Sequence, residues 1–371
     1  MNTPSLRIKR LETRIIDHPI RQDRIIVSPG GRHDTSRYLL VTVNDDEGMM
    51  GYGEAATTFL WSGEAAETAQ WIVERLFAPR LIGHTFDHPG EALALLDATV
   101  YANPFAKAAV DTALWDLWAR QQSVPATRLF GDREPVKVIP TRASIGTYPP
   151  EETLRIASAL WQEGIRTLKF KIGSSDFDDV ARLRAVREVL GEEPVFTVDA
   201  NGGYQSADAA VAAIEALLPF NVTMVEQPTP REHIHMLAEV RRRIEVPIIA
   251  DECIFTSGDL DEALDCDAFD ILSIYPGKNG GFTHALAMAR TAQRAGKSCS
   301  IGSNGETDLG QGAMACLAAG LSAFPVERIA CDFPAVYMYE RSSVVNPLQL
   351  RNGNIQVPQG VGFGVEPESF K

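Results

Sequence analysis

Two rhythms divide this chain. Over residues 1–130, apolar and polar positions alternate at Ile8–Ile16 and Tyr38–Val43, and MMGYGEA follows the turn signal NDDEG. A period of two predicts three strands joined as a meander. Residues 64–77, 90–100 and 103–120 change to helical spacing. The last is the strongest, with Ala106, Ala109, Val110, Ala113, Leu114 and Leu117 on one stripe. A meander followed by helices predicts an α+β domain.

From Val136 the pattern becomes strict strand–helix alternation. Strands are predicted at Val136–Ser144, Thr167–Lys171, Val195–Asp199, Thr223–Glu226, Pro247–Ala250, Ile271–Tyr275, Ser298–Ile301 and Arg328–Ala330. Helices fill the gaps at 151–163, 177–190, 206–217, 231–243, 258–265, 283–295 and 310–320. Eight strands with seven intervening helices fit a closed parallel barrel better than an open sheet. The predicted division is 1–130 as the α+β domain and 131–331 as the barrel, with 332–371 returning to the first domain. No internal repeat beyond the βα unit and no low-complexity segment stands out.

Charged side chains end several of the barrel's apolar runs. Lys169 and Lys171 close TLKFKIG, Asp199 closes VFTVDANG, Glu226 closes VTMVEQP and Asp251 closes PIIADE. From 171 to 199 to 226 to 251 the steps are 28, 27 and 25 residues. One βα unit takes about that many, so these side chains fall at the C-terminal ends of successive strands, where barrel active sites sit. Three hard oxygen ligands there suit Mg²⁺. Asn201, Gln227 and Glu252 flank the acids and are placed to orient them. Each acid taken singly reads as a strand-end cap or ion-pair partner; three in succession read as a metal site. Lys169 and Lys171 alternate along one strand and so share a face. Repulsion between the two, with a metal nearby, lowers a lysine pKa and can leave one neutral as a general base.

Composition narrows the class. The chain has 35 Lys+Arg against 49 Asp+Glu, a formal charge of −14, and no basic stripe, which argues against nucleic acid as a partner. Arg241–Arg243 reads as the solvated end of a helix. No apolar run reaches the ~18 residues of a membrane span, and MNTPSLRIKRLE lacks the apolar stretch of a signal peptide. Cys253, Cys266, Cys299, Cys316 and Cys331 show no metal-binding spacing; they read as reduced thiols, and a cytoplasmic location is expected.

The KFK pair, VDANGG, VEQP, ADE and the run ILSIYPGKNGG before a helix resemble the enolase superfamily, and within it the muconate-lactonizing-enzyme subgroup. VTVNDDEGMMGYGEA and AKAAVDTALWDL look like that family's capping domain. The resemblance covers nearly the whole chain. It implies a modified (β/α)7β barrel under an α+β N-terminal capping domain completed by the C-terminal tail. It also implies Mg²⁺ on Asp199, Glu226 and Asp251, Lys171 as the acid/base on one substrate face, Lys169 supporting it and the substrate carboxylate, and a homo-oligomer.

One departure matters. Most of the subgroup carries a second catalytic lysine at the sixth strand's end, where this chain has Tyr275; Lys278 lies three residues on. Tyrosine, with a reference pKa near ~10, is a poor base at neutral pH but can donate a hydrogen bond. Tyr275 reads as an acid or donor, or as packing; Lys278 reads as a replacement base or a surface residue. Glu306, after the seventh strand, falls where the family often places an acid near the substrate, with Ser303 and Asn304 beside it; alternatively it is a helix N-terminal acid. The family's substrate-selecting cap loops map to His18–Thr35, with Arg24, Arg32 and His33, and to Ala56–Gly63, with Phe59 and Trp61. Its dipeptide epimerases use an Asp-x-Asp near the eighth strand; ACDFP offers only Asp332, with Ala330 at the other position, which counts against an amino-dipeptide substrate.

The expectation is a Mg²⁺-dependent enzyme that abstracts the α-proton of a small carboxylate through an enediolate, isomerising it in the manner of a cycloisomerase. Dehydration by syn β-elimination stands second and racemisation or epimerisation third. A Schiff-base aldolase on Lys169 or Lys171, or a non-catalytic binding protein, stands behind these.

Overall fold

The computed structural model describes residues 5–29, 31–33 and 35–368. Parts of two expectations, Gly30 and Asp34 in the His18–Thr35 loop and the two chain ends, lie outside them. Strand β1 (Leu6–Pro19) opens the first domain. A small hairpin, β2 (Ile26–Ser28) and β3 (Gly31–His33), follows within the expected loop. Then come β4 (Thr35–Asp45), β5 (Met50–Thr57) and the short β6 (Thr85–Phe86). The sheet order is β5-β4-β1-β6, an antiparallel meander. Its inner face packs on the helix Pro104–Gln121, which is buried almost throughout. Gly51 and Gly53 make this possible: a Cβ at either would collide with the helix backbone at Ala113 and Ala109.

The second domain is the barrel. Its strands are β7 (Val138–Ile145), β8 (Thr167–Lys171), β9 (Val195–Asp199), β10 (Val222–Glu226), β11 (Ile248–Ala250), β12 (Ile271–Ile274), β13 (Ser298–Ile301) and β14 (Cys331–Asp332). β7 to β13 pair in parallel, in sequence order, and β14 pairs in parallel with β7 through Cys331–Thr141 and Asp332–Arg142. β13 meets β14 through side chains: Ser300 Oγ donates to the Ala330 carbonyl at 3.3 Å, and the Ile301 amide to Cys331 Sγ at 3.5 Å. The eighth strand therefore lies beyond the predicted Arg328–Ala330. Glu327 and Arg328 form a solvated ion pair instead, and a strand of two residues carries no readable period.

Most helices between strands are amphipathic, and several carry side-chain caps. Asp178 caps Asp179–Leu190 through the Val180 and Ala181 amides, and Thr256 and Asp259 form a capping box on Ser257–Asp265. The triplet Arg241–Arg243 ends its helix, with Arg241 and Arg243 paired to Asp267, Asp270, Asp208 and Glu239.

The tail meets both domains. Ile20 bridges to Tyr339, and Asp116 and Arg120 of the long cap helix bond to Phe363, Val365 and Glu366. A hairpin, β15 (Leu350–Arg351) and β16 (Asn354–Gln356), instead extends β7 of the barrel. Cap and barrel are joined by buried and half-buried polar contacts: the Thr307 amide donates to Glu54, the Thr283 amide to Asp111, and Asn304 Nδ2 to the Ala56 carbonyl. Among the described residues no helix is long and apolar enough to cross a membrane, and all five cysteines are unpaired.

Candidate active site

A cavity of about 150 Å³ opens between the barrel's C-terminal rim and the cap. Its floor and walls include Lys169, Lys171, Asp199, Glu226, Asp251 and Glu252, and cap residues Arg32, His33 and Trp61 reach it from above. The strand register explains the convergence. Lys171 stands opposite Asp199, and Asp199 opposite Glu226, so three successive strands end at one level. Within β8, Phe170 turns outward against Phe196 at 4.8 Å while the two lysines turn inward.

The two lysines differ. Lys169 Nζ lies 2.7 Å from Asp332, 3.2 Å from Glu226 and 3.5 Å from Asp199. Burial disfavours its charge, but Asp332 and Glu226 outweigh it and hold the ammonium well above the usual lysine range. Lys169 is thus held as a cation by its carboxylate partners. Lys171 Nζ donates to Asp199 Oδ2 at 2.6 Å and Asn201 Oδ1 at 2.7 Å.

Behind them lies a pair that the sequence reading did not single out. Arg142, fully buried on β7, holds Asp332 bidentately with both bonds at 2.9 Å, and reaches Glu226 at 3.1 Å. An arginine in the middle of a predicted barrel strand was the available signal. Asp332, read only for what it lacked as a motif, anchors both Arg142 and Lys169.

The acids press on one another. Burial opposes charge on Asp199, yet Lys171 and Lys169 bring it down to about 2. Burial, with Asp199 and Asp251 nearby, pushes Glu226 up to about 8 despite Lys169 and Arg142. Burial and the same two aspartates push Glu252 up to about 7. Among the described residues no three acid, histidine or cysteine side chains stand as a ready metal-holding group; Asp199, Glu226 and Asp251 each accept from a neighbouring cation. The donor set nonetheless fits a hard cation: carboxylate oxygens from three adjacent strands share one cavity, and Glu252 Oε2 is buried with no partner among the described residues.

The opposite wall is aromatic. The Tyr275 ring lies 6.0 Å from Trp61, and Trp61 lies 5.3 Å from Phe255. Gly302 makes room for the phenol, since a Cβ there would sit 2.9 Å from its ring. The Tyr275 hydroxyl donates to Asp251 Oδ1 at 3.2 Å, and burial with Asp251 raises its pKa well above the usual value. Lys278 is neither a surface residue nor a cavity-lining one. It is fully buried, and its ammonium donates at 2.8 Å to Asp251 Oδ1, the Asp251 carbonyl and the Ser273 carbonyl.

The remaining expected residues separate. Ser303 and Asn304 line the cavity, whereas Glu306 is buried behind them, accepting from Ser303 Oγ at 2.5 Å and the Asn304 amide at 3.1 Å. It lines a smaller recess with Glu54, Pro276 and Gly277. His33 lines the cavity and contacts Ser36 at 2.7 Å. Arg24 does not line it; buried, it pairs with Asp23 and Glu163. Phe59 is exposed on the surface.

A capped barrel with carboxylates and lysines at its C-terminal rim defines an enzyme of the enolase type. Residues 152–371 match the enolase C-terminal domain-like family, and residues 10–131 match the mandelate racemase / muconate lactonizing enzyme N-terminal domain. The chain belongs to that family. It is 31% identical to muconate cycloisomerase 1 of Rhodococcus opacus, over 97% of this chain and 96% of that one. It is 28% identical to N-succinyl-L-Arg/Lys racemase of Bacillus cereus, over 83% of each. The structure of the dipeptide epimerase of Cytophaga hutchinsonii complexed with Mg and the dipeptide D-Ala-L-Val superposes with a TM-score of 0.91 at 27% identity, covering 98% of this chain and 97% of that one. These relatives are all isomerases.

Proposed function

We propose that this chain is a Mg²⁺-dependent isomerase that removes the proton α to a small substrate's carboxylate, with Lys171 as the base on one face. The observation that carries the reading is the contrast between the lysines: Lys171 lines the cavity with one carboxylate and one amide oxygen as partners, while Lys169 is enclosed by three carboxylates and Lys278 by backbone carbonyls and Asp251. Asn201 orients the Lys171 ammonium, and Lys169 supplies fixed positive charge where a carboxylate gains electrons. Asp199, Glu226 and Asp251 are the side chains that would hold the ion. When bound, it stabilises negative charge developing on the substrate carboxylate. Tyr275 forms a wall and steadies Asp251.

Cycloisomerisation fits a single base best. Epimerisation is the second reading, favoured by the racemase and epimerase relatives, and it requires a base on the Tyr275 side. A cytoplasmic homo-oligomer, with a cap of residues 1–130 and a barrel of 131–331, completes the proposal; the net charge of −14 and the five unpaired cysteines support the compartment. Calorimetry tests the metal assignment. Glu226→Gln should weaken Mg²⁺ binding by about tenfold or more and abolish turnover; unchanged Mg²⁺ affinity would remove Glu226 from the ligand set.

A further inference from the structure

We infer that Arg182 is a positioning residue for the base: it fixes the end of β8, and with it Lys171, against the end of β7 on which the cap hairpin β2–β3 is seated. This deepens the reading of Lys171 as the base and rests on it.

Arg182 lies near the start of the helix Asp179–Leu190 and is fully buried. Its guanidinium spans two strand ends. Nη1 donates to the Lys171 carbonyl at 2.7 Å, and Nη2 donates to the Gly146 carbonyl, just past β7, at 2.7 Å. Nε donates to Thr153 Oγ1 at 3.3 Å, and Nη1 also meets Asp179 Oδ1 at 2.5 Å. The other oxygen of Asp179 accepts from the Gly173 amide at 2.9 Å. Between these, the Ile172 amide donates to the Asp199 carbonyl at 2.9 Å. Residues 171, 172 and 173 are therefore each pinned through the main chain, the first and last of them by the Arg182–Asp179 pair. The Gly146 end carries the cap. The Thr147 amide donates to the Val27 carbonyl at 2.7 Å, and the Tyr148 hydroxyl donates to the Ile25 carbonyl at 2.7 Å. Ile26 and Ser28 of that hairpin line the cavity. A helix N-terminus disfavours a cation, and a buried guanidinium is costly to desolvate. Helix stability alone does not favour arginine here; a planar fork that bridges two carbonyls does. A shift of about 1 Å at a reacting group costs up to about 10²-fold in rate, so the level of the β8 end matters to the Lys171 ammonium.

The test uses Arg182→Lys, which keeps the charge beside Asp179 but cannot bridge both carbonyls. Asp179→Asn is a milder change to the same pair and serves if the lysine variant fails a thermal melt. Main-chain amide exchange is read by mass spectrometry. Deuterium incorporation at the α-carbon is read by NMR for lactate, alanine, N-acetylalanine and succinate in D₂O with Mg²⁺. In either variant the peptide spanning 171–173 should exchange faster, by about tenfold in Arg182→Lys, while the peptide spanning 271–275 keeps its wild-type rate. Deuterium incorporation should fall by about 10²-fold in Arg182→Lys with Mg²⁺ affinity unchanged. Added to Lys171→Ala, the same change should cost nothing further, since the arginine acts through the lysine. An unchanged 171–173 peptide, or equal acceleration of both peptides as a merely structural role predicts, would overturn the inference. So would an equal loss of incorporation with and without Lys171. If Lys171→Ala leaves incorporation at the wild-type rate, the base reading fails instead. In that case, and if none of the four carboxylates exchanges, amide exchange still decides whether Arg182 holds the strand end.

Discussion

The two walls of the cavity are built from corresponding places in the barrel, yet they differ in chemistry. On one wall β8 ends in Lys171, whose ammonium meets Asp199 and Asn201 beside the open space. On the other, β12 is followed by Tyr275, whose hydroxyl is taken by Asp251, and by Lys278, whose ammonium is enclosed 4.9 Å from the Tyr275 ring centre. In the proposed mechanism the first wall moves the proton and the second does not. A lysine near the required place in the sequence need not reach the cavity: the ammonium of Lys278 is spent on Asp251 and the Ser273 carbonyl.

The largest expected break in this comparison is Lys171→Ala. Removing a positioned base costs 10²–10⁴-fold, so α-deuterium exchange should fall by about 10³-fold while Mg²⁺ affinity changes little. Next is Lys278→Met, which removes the ammonium that pairs with a buried Asp251 carboxylate and donates to two backbone carbonyls. A loss of about 3 kcal/mol or more in denaturant unfolding is expected; a variant of unchanged stability would mean that Lys278 is not a clamp.

A third effect comes from behind the aromatic wall. Burial pushes Glu54 and Glu306 up to about 7. The folded state therefore binds their protons more tightly than the unfolded chain does. The stability this gives is full below the unfolded carboxyl pKa and is lost as pH rises through about 7. Between pH 6 and 8 unfolding free energy should fall by about 1 kcal/mol per carboxyl, and Glu54→Gln should flatten the profile. Smallest is Tyr275→Phe, which removes one hydrogen bond, worth about 1 kcal/mol. Turnover should drop less than tenfold and exchange should stay measurable.

Much of this arrangement was legible because the barrel repeats. Apolar runs ending in charge, spaced by one βα unit, put Lys169, Lys171, Asp199, Glu226 and Asp251 around one cavity, where the structure has them. What escaped had no such period. Arg142 sits inside β7, and its partner Asp332 ends a strand of only two residues. The burial of Lys278 depends on carbonyls at Ser273 and Asp251 that tertiary closure alone brings together. The cap loops were placeable, but which side chains reach the cavity was not. Trp61 and His33 do, while Arg24 turns to Glu163. The tail's split between cap and barrel likewise follows from pairing with β7, which no local pattern announces.

The central claim is that one face of the substrate is worked by one lysine. The direct measurement is the stereochemistry of α-deuterium incorporation in D₂O, with both configurations of an exchanging carboxylate, in the wild type and in the Lys171→Ala and Lys278→Met variants. The account predicts deuterium entering one configuration only, abolished by Lys171→Ala and retained by folded Lys278→Met. Exchange of both configurations at similar rates, with Lys278→Met silencing one of them, would contradict it and make Lys278 a second base.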